Sequence, residues 1–233
     1  RLPEGGNIVS SRSACRNCQK KISWFDNIPF ISFIILRGKC RNCDCKISFQ
    51  YFFVELLVGL GFLVSFYFFG FTITTLLLFI LTIFFVIIFF IDLKHFIIPN
   101  ELTFPLMGIG FLKSFDPNLN QYLFPNYINS LVGGVIGYGV IWIIIFGYKK
   151  LKNKEGMGFG DAKLLSAIGF WFGWVSIPFI LFFSSFVALA FAIPDLLRKS
   201  KTMSSKIPYG PYLVLGCVLY IFLLEQIIKF INL

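Results

Sequence analysis

A chain of 233 residues that is 57% hydrophobic and only 14% charged, with a mean hydropathy of +0.81, sits far below the ~25% charge of a soluble globular domain. That composition excludes an ordinary water-soluble fold and points to a chain whose solvent is largely lipid. The net charge of +10 is unevenly spread, so it reads as membrane topology before it reads as a nucleic-acid surface.

Residues 1–49 are the polar part. They hold nine Lys/Arg, three acids and five of the six cysteines. The chain opens on Arg1 without a signal-peptide pattern and reads as a piece of a longer or processed chain. Cys15-Arg-Asn-Cys18-Gln-Lys-Lys-Ile-Ser23 repeats as Cys40-Arg-Asn-Cys43-Asp-Cys-Lys-Ile-Ser48, with seven of nine positions identical. Each is a C-x-x-C knuckle followed by a short β-prone tail. Two such knuckles supply the four thiolates that structural Zn²⁺ takes in a tetrahedral site. The 21 residues between Cys18 and Cys40 suit a zinc-ribbon spacing. The competing readings are disulfides and redox-active thiols, which cytoplasmic placement disfavours. Lys20 holds the place equivalent to Cys45, which therefore reads as a spare thiol. Cys217, in the last helix, reads as core packing.

Residues 50–233 are almost continuously apolar. Candidate spans run over 50–69, 73–91, 98–113, 128–148, 162–175, 176–196 and 209–231. The third and fifth are short for ~30 Å of hydrocarbon at about 1.5 Å per residue. Seven crossings with residues 1–49 in the cytoplasm put 19 of the 21 Lys/Arg on one side, in segments 1–49, 92–97, 149–163 and 197–208. Loops 70–72 and 114–127 carry no Lys/Arg, and Asp116 lies in the second. This is the positive-inside pattern. Lys113 falls at a span end, where it can snorkel; Lys229 disagrees mildly. The chain is therefore expected to be an all-α polytopic membrane protein. It divides into a cytoplasmic zinc-binding domain with a four-cysteine site (1–49) and a transmembrane domain (50–233).

Ionisable groups at membrane depth are costly and usually functional. Asp92 ends the second apolar run, and Asp161 closes Gly158-Phe-Gly160-Asp161 before the fifth. Both are expected at the cytoplasmic end of a span, at one depth. Two carboxylates sharing a site cannot both ionise cheaply, so one keeps a proton. Such a pair serves as general base to a water and general acid to a leaving amine. Gly158 and Gly160 leave room for a substrate backbone. Taken singly, Asp161 also suits a helix N-cap, and Asp92 a solvated helix end. Glu55 and Glu225 read as partners of other helices, Asp195 as an ion pair with Arg198 and Lys199, Glu101 as part of the Pro99-Asn100 break, and Lys94 and His95 as interfacial.

The chain resembles the bacterial type IV prepilin peptidase family, the prepilin leader peptidase/N-methyltransferases, which are GxGD-type aspartyl peptidases. The likeness runs in order through Arg1-Leu2-Pro3-Glu4-Gly5, the knuckles, Trp24-Phe25-Asp26-Asn27-Ile28-Pro29 and Leu36-Arg37-Gly38-Lys39-Cys40. It continues through Ile47-Ser48, Tyr51, Val54-Glu55-Leu56-Leu57, Asp92-Leu93 with Ile98-Pro99-Asn100, Gly156 to Leu164, and Ile207-Pro208-Tyr209-Gly210-Pro211-Tyr212. The resemblance implies a bacterial inner-membrane endopeptidase with Asp92 and Asp161 as its catalytic pair. It implies zinc on Cys15, Cys18, Cys40 and Cys43. It also implies cleavage of prepilin and pseudopilin leaders after a glycine on the cytoplasmic side. N-methylation of the new terminus from S-adenosylmethionine follows from the resemblance alone; no glycine-rich turn for that cofactor is present. A further helix before Arg1, eight in all, is implied too. A presenilin-like intramembrane protease and an Asp-dependent membrane transporter are the alternatives. Neither calls for a cytoplasmic zinc module.

Overall fold

The computed structural model describes residues 13–119, 123–153, 157–197 and 207–231. Residues 1–5, Gly156, the basic cluster 198–206 and the side chains of Asp195, Glu225 and Lys229 lie outside the described part.

Helices dominate, and among the described residues there is no strand. The β-prone tails of the two knuckles form only the isolated bridges Ala14–Lys21 and Lys39–Lys46. The helices are α1 (Ile31–Ile35), α2 (Phe49–Phe69), α3 (Ile73–His95), α4 (Asn100–Leu112), α5 (Tyr127–Lys152), α6 (Phe159–Phe172), α7 (Ser176–Leu197) and α8 (Gly210–Ile231). Helices α2 to α8 fall on the seven predicted spans. Among the described residues, α2, α3, α5 and the Ser176–Ile193 stretch of α7 are long and apolar enough to cross a membrane. The chain is a multi-pass membrane protein. Helices α4 and α6 have 13 and 14 residues, about 20 Å each, too short to cross ~30 Å of hydrocarbon unaided.

The chain divides into two compact units, Arg1–Ile87 and Ile88–Leu233, with the boundary inside α3. In the first, α2 approaches α3 where Gly61 meets Thr82, and Phe62 stacks edge-on to Phe79 at 4.9 Å.

In the second unit the core forms around α6. Ala162, Leu164, Leu165, Ala167, Ile168 and Trp171 are all fully buried, with α4, α5, α7 and α8 packed against the helix. Burial on every side requires close backbone approach, which small residues permit. Gly133 of α5 lies against the backbone of Gly169 and Gly173, and Gly137 against the Leu165 carbonyl. Polar side chains then satisfy backbone groups in the dry core. The Ser166 hydroxyl donates to the Gly134 carbonyl (2.8 Å), Ser130 to Phe170 (2.7 Å), and the Trp171 indole to Leu106 (2.8 Å). Lys113 departs from expectation. It does not snorkel but is buried, donating to the Trp171 carbonyl at 2.9 Å, with its ammonium 3.9 Å from the Phe124 ring centroid. The open carbonyls at the C-terminal end of α6 attract a cation.

Candidate active site and metal centre

The expected helix over 162–175 begins three residues earlier, with Gly158 at its N-cap and Gly173, at φ +77, ending it. Asp161 is therefore not the N-cap. It lies one turn into α6, and its Oδ2 accepts the Gly158 backbone N–H at 3.3 Å. This is the reach-back half of a capping box. Asp92 differs from a solvated helix end. Helix α3 continues past it to His95, and Asp92 is only 4% exposed, Asp161 8%.

Two buried carboxylates need donors. For Asp92 the donor is the Gly210 backbone N–H, 3.0 Å from Oδ2. Gly210 is the first residue of α8, with Pro211 behind it, so an open N–H at a helix start meets a carboxylate. A Cβ on Gly210 would lie 2.7 Å from that oxygen and 3.0 Å from Ile98 Cδ1. Ile98 also meets Gly160, where a Cβ would lie 3.0 Å from Ile98 Cβ. Ile98 thus bridges the Gly160-Asp161 turn of α6 and the Gly210 end of α8. Nearby, the Lys163 ammonium donates to Asn100 Oδ1 at 2.7 Å, tying the first turn of α6 to the start of α4. Tyr209, just before Gly210, places its hydroxyl 3.2 Å from Ser185 Oγ.

The spacing of acids alone leaves Gly210, Ile98 and Lys163 unassigned. The Ile-Pro-Tyr-Gly-Pro run signals a helix start, but not which carboxylate it would face. Lys94, His95 and Glu101 are exposed. Glu55, in the other unit, accepts the Phe30 backbone N–H at 3.0 Å rather than pairing with a helix side chain.

The sequence repeat becomes a structural one, offset by 25 residues. Cys15 N–H donates to Lys20 O and Gln19 N–H to Cys15 O, both at 3.0 Å. Cys40 N–H donates to Cys45 O at 2.9 Å and Asp44 N–H to Cys40 O at 3.0 Å. Each turn closes on a residue in the left-handed region, Gln19 (φ +58) and Asp44 (φ +52). The sulfurs of Cys15, Cys18, Cys40 and Cys43 all lie within 4.8 Å of one another, and none of the cysteines is in a disulfide. A tetrahedron with ~2.3 Å zinc–sulfur arms has edges of about 3.8 Å; Cys15 and Cys43 are 3.7 Å apart. The donor set fits Zn²⁺. The backbone N–H groups of Cys18 and then Asn17 hold the Cys15 thiol down to about 6, favouring the thiolate at that position, whereas the Cys18 thiol is pushed up to about 11. Cys45 lies 3.5 Å from Cys15 and 3.3 Å from Cys43, nearer to each than they are to one another. Cys217 is fully buried in α8.

A family profile described as the type IV leader peptidase family matches residues 79–193. One described as the bacterial peptidase A24 N-terminal domain matches residues 1–69. The prepilin leader peptidase/N-methyltransferase of Aeromonas salmonicida is 38% identical over 217 residues, covering 90% of this chain and 70% of the relative. The protein of the same name from Xanthomonas campestris pv. campestris is 38% identical over 196 residues (84% and 67%). That from Neisseria gonorrhoeae is 34% identical over 210 residues (90% and 70%). No solved structure matches the chain. With the paired knuckles, the buried aspartates and these relatives in view, the chain belongs to the type IV leader peptidase family.

Proposed function

We propose that this chain is a membrane aspartyl endopeptidase that removes the leader of prepilins or pseudopilins, with Asp92 and Asp161 as its acid pair. The observation that carries the reading is that Ile98 packs against Gly160, next to buried Asp161, and against Gly210, whose N–H meets buried Asp92, so two carboxylates 69 positions apart in the sequence flank one side chain. One carboxylate takes a proton from a water as that water attacks the scissile carbonyl. The other, protonated, gives its proton to the leaving amine as the C–N bond breaks. The Gly158 and Gly210 N–H groups hold the carboxylates in place. Gly158 leaves its side of the approach to Asp161 open, while Gly160 lets Ile98 close against the turn. A prepilin, with an apolar helix and a basic leader, suits a site at the membrane boundary. The positive-inside distribution favours the cytoplasmic boundary of a bacterial inner membrane, with cleavage after the leader's terminal glycine.

Residues 1–49 serve as the zinc-binding domain and 50–233 as the transmembrane peptidase domain. Cys15, Cys18, Cys40 and Cys43 would hold the ion, whose contribution is structural, since four thiolates leave no open position for a substrate. The second activity, methylation of the new N-terminus from S-adenosylmethionine, is favoured by the names of the relatives; no residue of this chain is assigned to it.

Incubation of the purified protein with a prepilin in lipid, read by mass spectrometry, tests both. The expected product lacks the leader and, with S-adenosylmethionine present, gains one methyl. An unprocessed prepilin contradicts the peptidase reading. A processed but unmethylated product contradicts only the second activity.

A further inference from the structure

Helix α1 turns one face inward and leaves the other bare. Ser32 is buried, its hydroxyl donating to the carbonyls of Phe25 (2.9 Å) and Ile28 (2.8 Å). Phe33 packs 5.5 Å from both Phe49 and Phe52 in the first turn of α2, and Phe30 lies 5.5 Å from Phe52. The opposite face carries Ile31, Ile34 and Ile35, which are 54%, 66% and 68% exposed. Trp24, 80% exposed, and the exposed Phe25 and Ile28 precede them. Six exposed apolar side chains within twelve residues call for something to cover them.

The connection to α2 says what that is. Phe30, at φ +60, directs its N–H to Glu55 Oε2 at 3.0 Å. Glu55 lies six residues beyond Phe49, about 9 Å along the helix. Helix α2 has 21 residues, about 32 Å, which barely exceeds the ~30 Å hydrocarbon core. Its ends therefore lie at the two hydrocarbon boundaries, and a segment tied about 9 Å from one end lies among acyl chains. Interfacial helices reach about 5–10 Å deep. The bond to Phe30 also gives Glu55 the donor that a carboxylate needs at that depth.

Charge identifies the lipid. Arg37 and Lys39 follow α1 directly, and Arg16, Lys20, Lys21 and Lys46 stand on the knuckles. Arg41 is instead engaged by Asp26, at 2.6 Å. An apolar face with a tryptophan at its edge and a cationic collar suits an anionic leaflet.

We propose that Trp24–Ile35 is an interfacial membrane element. It embeds its isoleucine face beside α2 and seats the metal knuckles on anionic phospholipid headgroups, in the leaflet that holds Phe49.

The test uses the full chain reconstituted in vesicles of phosphatidylcholine and phosphatidylglycerol, with and without acyl-brominated lipid. The difference between the parent and Trp24→Phe isolates Trp24 from Trp142, Trp171 and Trp174. Brominated lipid should lower the Trp24 component about twofold or more, as for an aromatic ring at the interface, while aqueous acrylamide leaves it largely untouched. Ile34→Asp with Ile35→Asp should reverse both responses without changing bound metal, which reports intact knuckles. Three results would overturn the proposal. Trp24 could be quenched by acrylamide and not by brominated lipid, as on a solvated surface. It could be shielded from both, as under protein. Or quenching could be unchanged when phosphatidylcholine replaces all phosphatidylglycerol, which removes the anionic assignment.

Discussion

Gly210→Ala probes the geometry of the candidate site without replacing either carboxylate. Gly210 is not among the positive-φ residues, so the backbone accepts alanine, and a helix is if anything steadied by it. The new methyl, however, would start 2.7 Å from Asp92 Oδ2 and 3.0 Å from Ile98 Cδ1. Ordinary contact requires the carboxylate to retreat by roughly 0.5 Å. That stretches the 3.0 Å Gly210 N–H bond, and hydrogen bonds to charged groups contribute about 1.5–3 kcal/mol. At about 1.4 kcal/mol per decade of rate, leader cleavage should fall about 10- to 100-fold. The assay is single-turnover cleavage of a prepilin followed by mass spectrometry, with thermal unfolding in detergent as the fold control. Gly139→Ala, where a Cβ meets nothing within 4 Å, should cleave at the parental rate. If folded Gly210→Ala also cleaves at the parental rate, Asp92 is not held by Gly210 in the reacting enzyme and the site geometry fails.

Other consequences concern the scaffold and the metal. Purified protein should carry about one zinc per chain by elemental analysis; Cys15→Ser with Cys18→Ser should abolish it and Cys45→Ser should retain it. Loss of zinc in Cys45→Ser would make that thiol a ligand. Gly169→Ala places a methyl against the Gly133 carbonyl, a backbone clash that no rotamer relieves. It should cost about 1–3 kcal/mol or more, seen as earlier thermal unfolding, whereas Gly147→Ala, in open space, should not. Lys113→Met strips the Trp171 carbonyl of its ammonium. The expected loss of about 1–3 kcal/mol should lower the melting temperature by roughly 2–4 °C per kcal/mol.

Much of this was legible because each signal was local. The seven apolar runs specify α2 to α8. The C-x-x-C repeat specifies two equal turns, although the residues that close them, Gln19 and Lys20 in one and Asp44 and Cys45 in the other, are the two positions at which the repeat differs. Boundaries were less legible where glycine acts twice. Gly158 both clears the approach to Asp161 and caps α6, so the helix begins at Phe159 rather than at 162. Gly173, in its left-handed conformation, ends the same helix early. What could not be read was tertiary. The donor to Asp92 comes from 118 residues downstream. Lys113 stands at a span end, within reach of water, yet turns inward because the end of α6 offers it carbonyls and aromatic rings.

The central claim is that Asp92 and Asp161 together hydrolyse a peptide bond. Asparagine keeps the shape of each side chain and removes its acid–base function. Leader cleavage by Asp92→Asn and by Asp161→Asn, each checked for parental melting temperature and zinc content, is the most direct measurement. Each single variant should leave the prepilin uncleaved. Parental cleavage by either one would contradict the claim.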